Sequence, residues 1–402
     1  MQQRYGILSG IANSAISAIS AIALVPVYLH YLGHEAYGII GFYATMQSLL
    51  GVFDLGFSAT LNRELAKART SQEISDAGRM AHALGYVYWG TGIAISMLVI
   101  LASAWITDRW LNVQSLSSKQ VGYAIALAGV SMGIRWPANI YQAVLQGTNR
   151  IVTCNLITIA ITLVTTAGSM VLVIFYSIDL RGLFAWHAAS GLLLVIWLHA
   201  KTAESLCRGI RNEFDLRQIG RAWRLSTSMA GIGVIALIFL QMDKLILSRM
   251  LTLEDYAHYI LATLLASGLY TLVVPIFNAT YPKLSALTAQ IPSYDVASTY
   301  RAISWLLASL LFPSALFLAF NGRDLVQLWT GDTTLANAVS PMLALLSIGS
   351  SLHGVMFMPY ALALAYGAST LVLRINLVLL LAFGPLIAIF TAKLGGVGSA
   401  WA

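Results

Sequence analysis

Long apolar runs, separated by short polar or Gly- and Pro-containing breaks, recur along the whole chain. About 20 such residues cross a bilayer core as a helix. The runs predict spans near 6–29, 36–62, 83–107, 120–146, 152–176 and 180–201, then near 223–249, 256–282, 302–328, 336–364 and 369–392. A twelfth run opens at Gly395-Gly396-Val397-Gly398 and stops at Ala402, so the native chain is expected to continue. The short alternating segments of a transmembrane β-barrel do not occur. The first run is itself long enough to span, and its end, Val25-Pro26-Val27-Tyr28, is no small-residue cleavage site, so no cleavable signal peptide is expected. The pattern is that of an all-α polytopic membrane protein.

The runs fall into two similar sets. Glu35-Ala36-Tyr37 matches Glu254-Asp255-Tyr256 at an offset of 219 residues, each opening an apolar run. Those runs close on Asn62-Arg63-Glu64-Leu65 and Tyr281-Pro282-Lys283-Leu284 at the same offset. Leu145-Gln146-Gly147-Thr148-Asn149 and Ala365-Tyr366-Gly367-Ala368-Ser369, 220 residues apart, connect the fourth and fifth spans of each set. This predicts a duplication into two parallel six-helix lobes, the twelfth helix missing or truncated, as in transporters whose lobes rock around a central site. The expected organisation is an N-terminal lobe over 1–202, a connecting segment over 203–222 and a C-terminal lobe over 223–402.

Composition supports the membrane assignment. Charged residues make up 10% of the chain and hydrophobic residues 58%, where soluble domains are about a quarter charged. The net charge of +7 reflects topology rather than nucleic-acid binding, because the Lys and Arg residues lie between spans. With the N-terminus inside, fifteen of the 23 fall in cytoplasmic segments and six in outer ones, which sets the orientation. Arg135 and Lys244 lie within spans. Cys154 and Cys207 fall near the cytoplasmic side and are expected to be free thiols.

Charges at membrane depth are costly and point to function by default. Arg135, in Gly133-Ile134-Arg135-Trp136-Pro137, lies at nearly the depth of Asp54 in the second span, within about 5 Å at 1.5 Å rise per residue. The two either form a structural ion pair, or Arg135 faces a cavity and grips a diphosphate with its planar guanidinium. Pro137 frees a carbonyl there and predicts a kink. Asp243 and Lys244, in the seventh span, either snorkel to the outer interface or serve as an ion site and a headgroup contact. Ser9, Asn13, Ser17 and Ser20 form one stripe of the first span, suited to helix packing or to sugar hydroxyls. Arg63 and Lys283 occupy corresponding cytoplasmic ends, explained by topology or by a basic cavity mouth. His187, His199 and His353 share no metal-ligand spacing and are expected to be interhelical or interfacial hydrogen-bonding groups. No zinc cluster, phosphate loop or nucleophile elbow occurs, so no metal or other cofactor is expected and an ABC-type ATPase is excluded.

The string PVYLHYLGHEAYGIIGFYATMQSLLGVFDLGFSATLNRELA, starting at Pro26, resembles the N-terminal motif of bacterial O-antigen and exopolysaccharide flippases. These form the polysaccharide-transporter branch of the multidrug/oligosaccharidyl-lipid/polysaccharide exporter superfamily. Gln241-Met242-Asp243-Lys244-Leu245-Ile246-Leu247-Ser248 is similar to that family's opening of the second lobe. The resemblance implies two six-helix lobes forming a V in the bacterial inner membrane. It implies transfer of an undecaprenyl-pyrophosphate-linked oligosaccharide from inner to outer leaflet for lipopolysaccharide, capsule or exopolysaccharide, with membrane lipids around it and a polysaccharide polymerase as partner. A multidrug/cation antiporter of the same superfamily is the alternative, although the first span holds no acidic residue. A membrane enzyme is disfavoured, because the outer connections near 108–119 and 329–335 hold no acid/base constellation.

Overall fold

The computed structural model describes residues 2–68, 70–206, 216–288 and 294–402. Cys207 and the basic residues Arg69, Arg208 and Arg211, with the middle of the expected connecting segment, lie outside the described residues. All regular structure described is helical. The chain forms two compact units, Met1–Leu237 and Ile238–Ala402.

The first unit opens with α1 (Gln2–Leu32) and α2 (His34–Leu50), joined at Gly33, whose φ of 89° favours glycine. A 3-10 turn (Gly51–Asp54) leads to α3 (Phe57–Lys67), then α4 (Ser71–Trp105) with a π-helical turn at its end (Ile106–Trp110). There follow α5 (Ser118–Arg135), α6 (Ala138–Gly147), α7 (Ile151–Tyr176), α8 (Leu180–Ser205) and α9 (Leu216–Met250), which runs into the second unit. The second unit continues with α10 (Leu253–Ser267), α11 (Tyr270–Thr288), α12 (Tyr294–Thr330), α13 (Thr333–Ala365) and α14 (Ser369–Trp401). At Gly395 (φ 61°) α14 leaves helical geometry before resuming.

Several helices start earlier than the apolar runs, because good caps satisfy their first N–H groups. Thr70 and Glu73 form a reciprocal capping box at the start of α4. Asp179, Thr252 and Asp332 cap α8, α10 and α13 with their side-chain oxygens.

Eight of the described helices are long and apolar enough to cross a membrane, or nine if the bent pair α10–α11 makes one span. Eleven spans were expected. The difference lies in α5 and α6, short on their own, and in α9, where the side chains of residues 227–233 are not described. Three runs expected to be continuous are broken. Span 36–62 breaks at Leu55 and Gly56, both left-handed at φ 48° and 76°. Span 120–146 breaks at Trp136-Pro137, where proline lacks the N–H to continue the ladder. Span 256–282 bends by 41° at Gly268-Leu269.

The second unit is built around one helix, the first around several packed pairs. In the first, α5 packs against α4 and α8, while α1 lies along α7 and α3 along α6. In the second, α13 packs against α10, α11, α12 and α14. Glycines set the α4–α5 distance: a Cβ on Gly133 would overlap Ser96 Oγ and the Gly92 carbonyl, and one on Gly129 would meet Val99. At one end of the first unit, Glu35 ties the start of α2 to the loop before α5. Its buried carboxylate accepts the Ser115 and Leu116 N–H groups, each at 2.8 Å.

Gly133→Ala is therefore expected to lower the melting temperature of the detergent-purified protein, at about 1–3 kcal/mol for overpacking. Gly85→Ala, whose Cβ would meet nothing within 4 Å, should leave it unchanged or slightly raised. Thermal unfolding followed by tryptophan fluorescence separates the two outcomes.

Candidate functional site

Arg135 is the last residue of α5, one residue before the Trp136-Pro137 break. Its chain lies against Gly191 of α8, where any side chain would collide with Arg135 Cγ. The glycine makes room for the guanidinium. Arg135 lines a cavity of about 290 Å³ with Gln47, Gly51, Asn139, Gln142 and Trp136. Arg135, Asn139 and Gln142 follow at i, i+4 and i+7 and so share one face across the break. The lining has one cation, three amides and no carboxylate. No ion pair to Arg135 occurs among the described residues, so the charge is left available to a ligand. Half-buried His187 stands nearby, its ring against Tyr43 and Phe184.

Asp54 does not pair with Arg135. It sits where α2 ends and the chain turns through left-handed Leu55 and Gly56. Its Oδ1 accepts the Ser58 hydroxyl at 2.5 Å and the Tyr88 hydroxyl, and the two hydroxyls are 3.1 Å apart. Tyr88 is buried at 2% exposure, and its ring stacks on Trp136 at 5.7 Å and 15°. One side chain thus touches both helix breaks of the unit. Equal depth along two helices says nothing about their rotation, and here the carboxylate turns toward α4.

In the second unit Asp243 accepts the Tyr259 hydroxyl at 2.8 Å, while Lys244 Nζ lies 3.5 Å from Asp243 and 3.3 Å from the Leu240 carbonyl. The expected serine stripe of α1 is divided. Ser9 is used in packing, accepting Asn155 Nδ2 from α7 at 2.9 Å. Ser20 is buried and Ser17 exposed, and the buried Oδ1 of Asn13 has no partner among the described residues. Arg63 is exposed and 3.7 Å from Glu64, which also meets Arg221 at 3.6 Å. Lys283 is exposed at the end of α11. His199 packs edge-on against Tyr141, and His353 takes part in a hydrogen bond with Tyr270. Cys154 is a buried free thiol. Gln47, Asn139, Gln142, Gly191 and Tyr88 were not singled out from sequence, although the Arg135–Asn139–Gln142 spacing carried the signal for two of them.

The arrangement of helices around this recess can be compared with solved structures. The fold matches a multidrug resistance MATE family transporter of the MOP superfamily in an inward-facing conformation (TM-score 0.75, 13% identity, 96% of this chain and 93% of that one). It also matches the lipid II flippase MurJ in an inward closed conformation (TM-score 0.77, 14% identity, 98% and 84%). A third match is a MOP superfamily transporter from Pyrococcus furiosus (TM-score 0.61, 11% identity, 100% and 89%). The chain has the MOP superfamily fold. No curated protein matches it by sequence. A family model described as polysaccharide biosynthesis protein matches residues 6–288, and the chain belongs to that family. By family it is a polysaccharide biosynthesis protein, and its fold is one shared with membrane transporters.

The Asp54 contacts predict a graded result. Tyr88→Phe removes a hydrogen bond to a charged group and should cost about 1.5–3 kcal/mol of stability. Ser58→Ala should cost less, because Tyr88 remains. Chemical unfolding in mixed micelles reads both; equal, negligible effects would show that Asp54 is satisfied by other groups.

Proposed function

We propose that the protein is a flippase that carries an undecaprenyl-pyrophosphate-linked oligosaccharide from the inner to the outer leaflet of a bacterial inner membrane. The product would feed O-antigen, capsule or exopolysaccharide assembly. One observation carries this reading: Arg135, unpaired at membrane depth, lines a recess of amides with no carboxylate. Such a recess suits a diphosphate, which the guanidinium meets bidentately, and amide groups can replace the headgroup's water. A cationic drug would be poorly served there.

In this reading Lys244, Arg63 and Lys283 are further contacts for the phosphates, and Asn13 and Ser17 offer hydrogen bonds to sugar hydroxyls. Asp54 and Asp243 are the carboxylates for ion coupling. The two halves marked by the 219-residue offset act as six-span lobes, N-terminus in the cytoplasm, that open the site to each leaflet in turn. The lipid tail stays in the bilayer throughout. Family membership supports the pathway, and the fold shared with a lipid II flippase supports the substrate class.

In liposomes carrying a polyprenyl-pyrophosphate-linked oligosaccharide, the purified protein is expected to move the sugar across. Arg135→Ala should slow this about tenfold to a hundredfold, the worth of a charged hydrogen-bonded contact. Arg135→Lys, which keeps charge but loses the planar fork, should fall between. Export of cationic dyes without any sugar-lipid movement would overturn the proposal in favour of a drug antiporter.

A further inference from the structure

The second unit carries a run of aromatic side chains that nothing above explains. On α11, Tyr270, Phe277 and Tyr281 follow at i, i+7 and i+11; on α13, His353, Phe357 and Tyr360 follow at i, i+4 and i+7. Each set lies on one face, and the two faces meet. Tyr270 OH and His353 Nδ1 are 2.8 Å apart. His353 stands edge-on to Phe357 at 5.5 Å, Phe357 edge-on to Phe277 at 5.7 Å, and Phe277 stacks on Tyr281 and Tyr360 at 5.9 Å each. The ladder extends along about 16 Å of α11 at 1.5 Å rise per residue.

Tyr270, Phe277, Phe357 and Tyr281 are partly buried, backing onto the core of the unit, while the other side of the ladder is open. His353 is exposed, Tyr360 is 36% exposed, and Ser267, Gly268, Thr271 and Asn278 are exposed along the same stretch of chain. The chain also breaks at Gly268-Leu269, at the ladder's Tyr270 end. Exposed imidazole, amide and hydroxyl groups at membrane depth are tolerated where they line a water-filled space rather than hydrocarbon. His353 lies on the helix around which its unit is built, 218 residues after Arg135. At its other end the ladder reaches Tyr281, two residues before exposed Lys283.

We infer that the α11–α13 ladder is a carbohydrate track holding the sugar rings of the transported headgroup, with Lys283 at the end nearest its phosphates. This rests on the flippase reading and assigns a part of the substrate that Arg135 does not serve. The chemistry fits a glycan. The weakly positive C–H faces of a pyranose lie on the negative faces of aromatic rings, while hydroxyls bond the Tyr, His and Asn tips. Aromatic rings accept many sugars, so the track tolerates variation in composition. A run of rings also serves a chain of sugars better than a single closed pocket would.

The test uses the full chain with both native cysteines replaced by serine, carrying His353→Cys or Tyr281→Cys, in liposomes. A membrane-impermeant, charged methanethiosulfonate is expected to label both positions. A polyprenyl-pyrophosphate-linked oligosaccharide should slow labelling several-fold, and polyprenyl pyrophosphate without sugar should not. No labelling would place the ladder against lipid and overturn the inference. So would equal protection by both lipids, or none from either. Sugar-lipid movement by the unsubstituted protein, measured alongside, separates the two proposals: movement without protection sinks the track alone, and no movement sinks the flippase reading. Thermal unfolding of each cysteine variant, matched to that of the unsubstituted protein, checks that any loss of protection does not come from misfolding.

Discussion

Hydrocarbon offers no partner to a backbone N–H or C=O, so a chain that crosses it must stay helical except where protein or water takes over. Every departure from helix in this molecule has to be read against that constraint. Three of the expected spans are broken, at Leu55-Gly56, Trp136-Pro137 and Gly268-Leu269. Each break carries polar or ionisable side chains: Asp54 at the first, Arg135 at the second, and Tyr270 with His353 at the third. Backbone irregularity and side-chain chemistry fall together because both need a place from which lipid is excluded.

The packing around these breaks is arranged to make them possible. Gly133 and Gly92 bring α4 and α5 into near-backbone contact just before Arg135, and Gly191 clears α8 from its path. Small residues give van der Waals contact in a medium with no hydrophobic drive between helices. They also leave room for a long charged side chain. The same glycines therefore hold the unit together and make room for the guanidinium.

Much of this was legible in the sequence. The apolar runs located the helices, Pro137 located one break, and the rarity of intramembrane charge singled out Arg135, Asp54, Asp243 and Lys244. The break at Leu55-Gly56 was not legible, because the run resumes as apolar beyond Asp54 and hydropathy is blind to φ. Nor were the partners. Tyr88 lies 34 residues from Asp54 in the chain and Trp136 lies 48 from Tyr88, and helical periodicity orders residues along a face without saying which face they meet. The possible Asp54–Arg135 pair was inferred from depth alone. Depth fixes one coordinate of a side chain and leaves its rotation about the helix free.

That missing pair matters for what the recess can do. Were Arg135 bound to Asp54, an incoming phosphate would first have to break an ion pair in a medium where separated charges are expensive. Instead Tyr88 and Ser58 satisfy Asp54 with neutral hydroxyls, and the guanidinium stays open toward Asn139 and Gln142. The Tyr88 ring also lies on Trp136, the residue that follows Arg135. A phenol and an indole thus stand between the acid and the base, so that each keeps its own partners or its own open recess.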